Sequence, residues 1–555
     1  MQRAREPVRS ICCIGAGYVG GPTCAVIACQ NPKIQVTVVD LDQARIDAWK
    51  SDHLPIFEPG LRDVVQFARD EQYSGHETRP PNLFFSTDID SAIVSADLIF
   101  IAVNTPTKLV GQGAGSASDL AYVEAAARRI AEVSTSDKIV AQKSTVPCGT
   151  AHTLRHIFAS VAQNSDVNFE ILSNPEFLAE GTAIRDLLSP DRILIGSNTD
   201  RRALQAAERL ADVYAAWVPR ERILTVNCWS SELSKLAANC MLAQRISSIN
   251  SLSAICEVTG ADVDEVAQAV GQDTRIGSKM LKASAGFGGS CFKKDVLCLV
   301  YIAESYNLHE VALYWRRIVD INEYSKARFA KWIIQSLHNT LDRKKIAILG
   351  WAYKKDTGDT RESAAINVAG QLIAENAHVA VYDPEVRPDQ IISDLTQHHN
   401  TDALAKKVSI HKNPYSACEG ASAVVILTEW DEFKTDGLPS AVANVLDKEV
   451  LEVPLVSVPR RTSEDSRGSS ERSWVRDDYS RDERSAENLA ESPVFEPKTI
   501  PLRLCKKGID WPRIANCMQR PRLLFDGRNV VDPAKLMALG FQVHCIGKSR
   551  SASNF

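Results

Sequence analysis

The chain has 555 residues, and at roughly 150 residues per domain this length predicts three to four domains. Its 64 Lys and Arg against 69 Asp and Glu leave a net charge of −5, which argues against a protein that mainly coats nucleic acid or an acidic membrane. Hydrophobic residues make up 45%, as in globular proteins, and no apolar run reaches the roughly 18 residues that cross a bilayer. The first residues lack an apolar secretory stretch, so we expect a cytoplasmic protein.

The 14 cysteines are scattered and form no CxxC pair, so the sequence offers no zinc-ligand spacing and predicts no metal site. Many of them lie in apolar periodic segments, namely Cys13, Cys24, Cys240, Cys256 and Cys298. Reduced, mostly buried thiols are the ordinary interpretation of this pattern.

Short β-rich runs alternate with helical segments at the start of the chain. The predicted strands are 9–14, Gln35–Val39, 97–103, Lys138–Gln142, 169–172 and 192–196. This alternation predicts a parallel sheet covered by helices on both faces.

The middle of the chain reads as helical. Residues 230–258 contain neither Pro nor Gly and carry apolar residues at helical spacing, which predicts one long helix ending near Gly260. Further helices are predicted at 262–270, 295–305 and 310–338.

The βα alternation then restarts. Predicted strands are 344–349, His378–Tyr382, 422–427, 522–525 and 542–546, with a helix at 363–376. We therefore predict an α/β protein of two Rossmann-like doubly wound domains joined by a central all-helical domain, with boundaries at 1–225, 226–340 and 341–555.

A glycine pattern follows the first strand. Gly15 permits a tight turn, Gly17 lets the backbone approach a pyrophosphate, and Gly20 lets helix and strand pack closely. Asp40 ends the second strand 20 residues after Gly20, where a carboxylate holds ribose hydroxyls and repels a 2′-phosphate. The pattern predicts NAD rather than NADP; the alternative is a tight turn without a ligand.

The second βα unit has Gly350 after its strand but no complete GxGxxG. Basic and hydroxyl residues in 351–363 precede a helix and favour a phosphate-bearing ligand. The alternative is a solvated charged loop.

The segment 286–295 carries three glycines, Cys291 and Asp295. Cys291 lies at a predicted helix start, where the helix dipole favours a thiolate, and Asp295 lies four residues later on the same face. This pattern indicates a nucleophile beside a base. A small buried cysteine after a flexible loop is the alternative.

Two further groups of polar residues lie near predicted buried elements. Lys235 and Asn239 are four apart on the long helix, where a solvent-facing stripe is the alternative. Glu176 and Glu180 follow a buried strand, as active-site residues do in such sheets, although both could be surface charges.

Several segments together resemble the UDP-glucose/GDP-mannose dehydrogenase family, in particular its UDP-glucose 6-dehydrogenases of animal and fungal type. They are ICCIGAGYVGG (11–21), VNTPTK (103–108), KSTVP (143–147), LSNPEFLAEGTA (172–183), ELSKLAAN (232–239), AQRISSIN (243–250), KASAGFGGSCFKKDV (282–296), KKDTGDTRES (354–363), TEW (428–430) and FDGR (525–528). The resemblance implies NAD-dependent four-electron oxidation of a UDP-sugar to the acid through a cysteine thiohemiacetal and thioester. Sister enzymes acting on GDP-mannose or UDP-N-acetylmannosamine, and a non-catalytic nucleotide-binding scaffold, remain alternatives.

By this resemblance, Cys291 is the nucleophile, Asp295 assists proton transfer with water, and Lys235 with Asn239 stabilises oxyanions. Thr145 and Glu176 order the catalytic water. The implied NAD-binding residues are Gly15, Gly17, Tyr18, Val19, Gly20, Asp40, Arg45, Thr105, Ser144, Glu180 and Arg361. The implied substrate-binding residues are Phe177, Leu178, Ala179, Glu180, Lys235, Asn239, Arg275, Lys282, Lys354 and Arg528.

The resemblance further implies a homodimer built on the long central helix, with Arg275 reaching the partner's substrate site, and leaves a hexamer open. No nucleic-acid or membrane partner is expected. One departure is 437–508, which separates TEW from FDGR and is rich in Arg, Asp, Glu and Ser. We interpret it as a largely disordered insertion in the C-terminal domain, either real or translated intron sequence, near enough to Arg528 to impair UDP binding.

Overall fold

The computed structural model describes residues 6–74, 77–162, 166–397, 407–435 and 508–549. The predicted insertion at 437–508 lies outside the described residues except for its last position. Within the described ranges, no helix is both long and apolar enough to cross a membrane.

The first part of the chain forms an eight-stranded sheet. The strands in this part of the chain are β1 (Ser10–Ile14), β2 (Gln35–Val39), β3 (Gln72–Ser74), β4 (Glu77–Arg79), β5 (Leu83–Ser86), β6 (Leu98–Ile101), β7 (Lys138–Gln142), β8 (Phe169–Ser173), β9 (Ile193–Ser197) and β10 (Ile223–Asn227). The order in the sheet is β10-β9-β8-β7-β6-β1-β2-β5, and β3 with β4 forms a separate antiparallel pair.

The sheet is parallel from β5 to β8, as predicted, and its far edge departs from this parallel pattern at one step. β9 meets β8 in antiparallel orientation at one pair, Ser173 and Gly196, and β10 runs parallel to β9. The reversal follows from the short connection through a single small helix, which returns the chain beside β8 without a full crossover.

Helices cover both faces of this sheet, as predicted, and apolar residues form a core cluster on each face. They are α1 (Gly20–Gln30), α2 (Gln43–Lys50), α3 (Leu61–Arg69), α4 (Ile89–Ser95), α5 (Ala121–Val133), α6 (Thr150–Val161), α7 (Ala183–Leu188) and α8 (Arg201–Tyr214). Within the described ranges, single-turn 3-10 helices occur at Arg220–Arg222 and Asp431–Phe433.

The central part is helical, as predicted: α9 (Cys228–Thr259), α10 (Val263–Gly271), α11 (Phe292–Ser305) and α12 (His309–Ser336). The long helix starts two residues before the predicted position because the Asn227 side chain accepts a hydrogen bond from the Ser230 N–H and caps it. It ends at Gly260, whose φ of +86° provides a left-handed C-cap.

The last part forms a six-stranded, fully parallel sheet. Its strands are β11 (Lys345–Leu349), β12 (His378–Tyr382), β13 (Val408–Ile410), β14 (Ala423–Ile426), β15 (Arg522–Asp526) and β16 (Phe541–Cys545), in the order β13-β12-β11-β14-β15-β16. Its helices are α13 (Ala364–Ala374), α14 (Pro388–Thr396), α15 (Pro414–Cys418), α16 (Trp511–Cys517) and α17 (Pro533–Ala538). The strands on either side of 436–507, β14 and β15, pair with each other directly.

Candidate functional site

A cleft of about 2190 Å³ lies between the two sheets and the central helices. Most of the predicted site residues line it, although the sequence distributes them over more than 500 positions. These are Gly17, Tyr18, Val19, Arg45, Thr105, Ser144, Thr145, Glu176, Phe177, Leu178, Ala179, Glu180, Lys235, Asn239, Lys282, Cys291, Lys354, Arg361 and Arg528.

The glycines of the first turn have separate structural tasks. Gly15 has a φ of +110°, and a Cβ there would collide with the carbonyl of Ala102. A Cβ on Gly20 would collide with the carbonyl of Gly15, so this glycine permits close packing of helix and strand. A Cβ on Gly17 would meet no atom within 4 Å, so Gly17 leaves open space where the turn faces the cleft.

Asp40 completes this turn. Its carboxylate accepts a hydrogen bond from the Ala16 N–H at 2.9 Å and forms an ion pair with Arg45 at 3.1 Å. The Asp40 side chain is 13% exposed. The open face at Gly17 and this carboxylate fit the pyrophosphate and the ribose of a dinucleotide.

Cys291 lies at the N-terminal end of α11, as predicted, and is open to the cleft. The helix start predicts that the dipole favours its thiolate, but other surroundings of the thiol act in the opposite direction. Protein surrounds the thiol on most sides, and this burial, together with Asp295, raises the pKa of Cys291, although Lys235 opposes the increase. A base or a positive charge must therefore assist ionisation.

Lys235 is buried, which excludes the solvent-stripe alternative. Its Nζ lies 3.0 Å from the Glu176 carboxylate. Burial disfavours both charges, but their attraction outweighs it: the pKa of Lys235 is raised by Glu176, Cys291 and Asp295, and the pKa of Glu176 is lowered, chiefly by Lys235. The pair thus supplies a fixed cation and a fixed carboxylate at the thiol.

Asn239 lies one helical turn after Lys235 and donates a hydrogen bond from Nδ2 to the Asp295 carboxylate at 2.6 Å. The other oxygen of Asp295 lies 3.2 Å from the Lys294 ammonium. Asp295 is almost fully buried and does not itself line the cleft. It lies behind Cys291, where it orients the asparagine.

The loops after β6 and β7 form one wall. The Thr105 hydroxyl donates to the Thr145 carbonyl at 2.9 Å, and the Ser144 hydroxyl donates to the Val103 carbonyl at 2.6 Å. These bonds bring Thr105, Ser144 and Thr145 to one edge of the sheet between the glycine turn and Cys291.

Glu180 and Arg361 join the first sheet to the second. Arg361 contacts Glu180 at 3.4 Å and Asp359 at 2.6 Å. Burial and the nearby Asp359 raise the pKa of Glu180 to about 8. Burial therefore disfavours the charged form of this carboxyl, and the neighbouring Arg361 opposes that effect.

Cations line the side of the cleft formed by the second sheet, namely Lys282, Lys354 and Arg528. The Arg528 guanidinium is held by the carbonyls of Leu427 and Tyr353 and by Glu429. Opposite them, the Phe177 ring packs under the Arg192 guanidinium at 3.7 Å. This arrangement suits an anionic, doubly phosphorylated ligand.

Arg275 is the predicted substrate residue that the structure does not bring to the cleft. Its side chain is 87% exposed and pairs with Asp273 at 2.6 Å.

Three functional candidates were not identified from the sequence: Glu58, Lys143 and Arg192. The buried Glu58 carboxylate accepts hydrogen bonds from the Gly181 and Ala183 N–H groups and so holds the loop that carries Glu180. Lys143 is buried against Asn174 and Tyr214, and burial lowers its pKa to about 8. Lys143 directly follows a buried strand, and this position could have identified it from the sequence. No local sequence pattern indicates that Glu58 is buried near the cleft loop.

In the part of the chain that the structure describes, no group of three or more His, Cys, Asp or Glu side chains is placed to hold a metal ion. The cysteines described there are all free thiols, and most are buried, including Cys13, Cys24, Cys240, Cys256 and Cys298.

The chain as a whole is similar to proteins of a known family. Three domain profiles of the UDP-glucose/GDP-mannose dehydrogenase family match in order: the NAD binding domain at 9–218, the central domain at 229–324 and the UDP binding domain at 347–452.

Among relatives, a UDP-glucose 6-dehydrogenase of Pongo abelii is 49% identical over 549 residues, covering 98% of this chain and 94% of that protein. UDP-glucose 6-dehydrogenase 5 of Oryza sativa subsp. japonica is 48% identical over 553 residues, covering 98% of each, so the similarity extends to plants. A solved UDP-glucose dehydrogenase of Pyrobaculum islandicum superposes with a TM-score of 0.65 at 32% identity, covering 78% of this chain and 92% of that one. The chain therefore belongs to the UDP-glucose/GDP-mannose dehydrogenase family, whose cofactor is NAD.

Proposed function

We propose that this chain is a UDP-glucose 6-dehydrogenase, which oxidises the 6-hydroxymethyl group of UDP-glucose to a carboxylate. The observation that carries the proposal is Cys291, open to a cleft between a dinucleotide-type turn and a set of cations, with the Lys235–Glu176 pair beside its thiol. The 49% identity to proteins named for this activity supports the choice of sugar.

Oxidation of an alcohol to an acid removes two hydrides, and the second cannot leave a free aldehyde until a nucleophile has added to its carbon. NAD+ in the cleft would supply the acceptor for one hydride at each oxidation, and the hydroxyl proton lost in the first oxidation would pass to a base of the cleft. We infer that Cys291 adds to the aldehyde carbon as the thiolate, its proton passing to a base of the cleft, and forms a thiohemiacetal. Loss of the second hydride leaves a thioester, and water hydrolyses it to the carboxylate and frees the thiol.

Lys235 stabilises the negative charge that develops on the substrate oxygen at each of these steps. Its pKa is held high by Glu176, so the ammonium stays charged in a site that excludes most water. Asn239 adds a second polar group on the same face of α9, and its orientation is set by Asp295.

Glu176 and Thr145 order the water that attacks the thioester, and Asp295 assists the proton transfer. Glu176 is suited to accept a hydrogen bond because its lowered pKa keeps it ionised.

For the substrate, Lys282, Lys354 and Arg528 bind the diphosphate, and the loop Phe177–Glu180 binds the sugar and the uridine. For the cofactor, the turn carrying Gly15, Gly17, Tyr18, Val19 and Gly20 binds the pyrophosphate, Asp40 with Arg45 binds the ribose, and Thr105, Ser144, Glu180 and Arg361 line the nicotinamide end. The division into 1–225, 226–340 and 341–555 follows these tasks.

A homodimer completes the proposal. α9 exposes large apolar side chains, including Met241, Ile255 and Val258, and an isolated chain would leave them in water. A partner covering this face would bring Arg275 to a neighbouring substrate site, and a hexamer of such dimers is compatible with it. The free thiols suit a cytoplasmic location, where cysteines stay reduced.

Incubation of the purified full chain with NAD+ and UDP-glucose tests the proposal: we expect two NADH for each UDP-glucuronate. Cys291→Ser should abolish the acid product, whereas Cys517→Ser, a partly buried thiol outside the cleft, should leave turnover unchanged. Activity with GDP-mannose or UDP-N-acetylmannosamine but not UDP-glucose would contradict the substrate. Binding of NAD+ and UDP-glucose without NADH would indicate a non-catalytic scaffold.

A further inference from the structure

The loop that delivers Cys291 to the cleft has no regular secondary structure of its own. Residues 282–290 contain three glycines, and Gly286 and Gly289 adopt φ values of +146° and +89°. Glycine-rich backbone has many accessible conformations, so the geometry of this loop has to be imposed by its neighbours.

Two backbone contacts hold the sides of the loop. The Ala285 N–H donates to the Gly527 carbonyl at 2.8 Å, and the Gly289 N–H donates to the Arg361 carbonyl at 2.8 Å. Phe287 lies midway between these two contacts, at the part of the loop that they do not hold directly.

Asn322 on α12 holds Phe287 through both of its backbone groups. The Asn322 side chain is almost fully buried; its Oδ1 accepts from the Phe287 N–H at 2.7 Å, and its Nδ2 donates to the Phe287 carbonyl at 3.1 Å. The amide therefore acts on this residue as a neighbouring β-strand would. A Cβ on Gly286 would lie only 3.0 Å from the same Oδ1, so the loop and Asn322 approach closely.

The constraint passes from Phe287 to the nucleophile. The Phe287 ring packs edge-on against Phe292, with ring centroids 5.7 Å apart. Phe292 directly follows Cys291 and begins α11. The ring contact and the loop backbone therefore both connect the Asn322 amide to the position of Cys291.

We propose that Asn322 is a positioning residue for Cys291, which sets the loop so that the thiol meets the reacting carbon. This inference rests on the proposed function, and it adds a residue remote from the ligands to the reaction. A displacement of about 1 Å in such a site can lower turnover about 100-fold.

The test compares Asn322→Ala with Ser325→Ala. Ser325 is buried on the same helix, but among the described residues its hydroxyl bonds only to the Ile321 carbonyl within that helix, which makes it a matched control. For Asn322→Ala we expect kcat to fall about 100-fold while the KM for NAD+ is unchanged, because the glycine turn is not altered. Ser325→Ala should keep wild-type kcat.

A second measurement is independent of turnover: iodoacetamide labelling of Cys291, followed by peptide mass spectrometry. We expect faster labelling in Asn322→Ala than in wild type and Ser325→Ala, because a loosened loop exposes the thiol. Failure of the proposed function, with no NADH from the wild type, would leave this measurement valid, so the two failures are distinguishable.

Asn322→Asp provides a second variant, since it retains the acceptor for the Phe287 N–H and replaces the donor to its carbonyl. It should show the same loss of kcat and the same faster labelling. Wild-type kcat or labelling in either variant, an equal change in Ser325→Ala, or failure of both variants to fold would overturn the proposal.

Discussion

Each of the two large sheets contains the same strand–turn–helix unit, built with the same hydrogen bonds. The Gly15 N–H donates to the carbonyl that ends β2 at 2.8 Å, and the Gly350 N–H donates to the carbonyl that ends β12 at 2.8 Å. The next N–H in each turn donates to the carboxylate after that strand, Asp40 in the first sheet and Asp383 in the second.

The turns differ in what occupies the space above them. The first has Gly17, with open space toward the cleft, whereas the corresponding position of the second is the fully buried Ala352. Trp351 fills the second turn, and its indole donates to Asp394 at 2.9 Å. Asp383 accepts from two backbone N–H groups and the Trp430 indole through one oxygen, whereas the corresponding oxygen of Asp40 accepts from one backbone N–H and pairs with Arg45.

The difference shows that one backbone motif can serve binding or stability, depending on the side chains that fill its turn. In the first sheet the turn is left open for a ligand. In the second it is filled by the protein's own indoles, and the ligand-facing cations come from loops instead.

Gly17→Val tests the open turn most severely. We expect NAD+ affinity to fall at least about 100-fold, or about 3 kcal/mol, because the side chain would extend into the open space above the turn, where a pyrophosphate would lie, and its Cβ would meet no protein atom. Isothermal titration calorimetry measures the change. Ala352→Gly, the corresponding change in the second turn, serves as control and should leave NAD+ affinity at the wild-type value; equal losses in both would contradict the comparison.

Asp383→Ala tests the filled turn. We expect a loss of about 2 kcal/mol in unfolding free energy, because buried N–H donors lose their acceptor, with no change in NAD+ affinity. Urea denaturation and calorimetry measure the two quantities. A weakened NAD+ affinity with unchanged stability would contradict the assignment of the second turn to stability rather than to cofactor binding.

Asp40→Asn should have a smaller effect, on affinity. We expect about ten-fold weaker NAD+ binding, about 1.4 kcal/mol, because the ribose loses a charged acceptor, and discrimination against NADP+ should decrease. Asp42→Asn is the control, because Asp42 caps α2 without forming the turn. If both variants bound NAD+ equally, Asp40 would have no cofactor role.

Glu180 at the junction of the two sheets should give the smallest effect, a pH dependence. Its pKa is raised from 4.5 to about 8, so the folded protein binds more protons than the unfolded chain between these values. Its contribution to stability is complete below about pH 4.5 and is lost as the pH rises to about 8, and the lowered pKa of the neighbouring Asp359 partly offsets this loss.

Glu180→Gln, which keeps the neutral form, should therefore lose less thermal stability than wild type between pH 5 and pH 8. Glu221→Gln, at an exposed surface position, is the control and should follow the wild type. A parallel pH dependence in wild type and Glu180→Gln would show that Glu180 ionises normally.

Much of the fold is readable from local sequence. The β-branched runs of β2, β7 and β12 were predicted to the residue, and α9 was predicted within two residues, because periodicity and capping act over a few neighbours. The antiparallel step at β9 was not predictable, because strand direction depends on the path of the whole chain. The helix start beside Cys291 was evident from the sequence, whereas the burial that raises its pKa was not, because burial depends on tertiary packing.

By itself, the sequence determined most of the elements, the glycine turn with Asp40, and the position of Cys291 at a helix start after a glycine-rich loop, since each is encoded within one short segment. Only the tertiary structure decided that Lys235 is buried against Glu176, that Asn239 meets Asp295, and that Asn322 holds Phe287. These pairs lie 59, 56 and 35 positions apart, and contacts at such separations arise from packing rather than from local pattern. The same reason explains the difference between the two turns. Both contain a glycine and a hydrogen-bonded aspartate, but the tryptophans that fill the second turn come together only when the second sheet has folded.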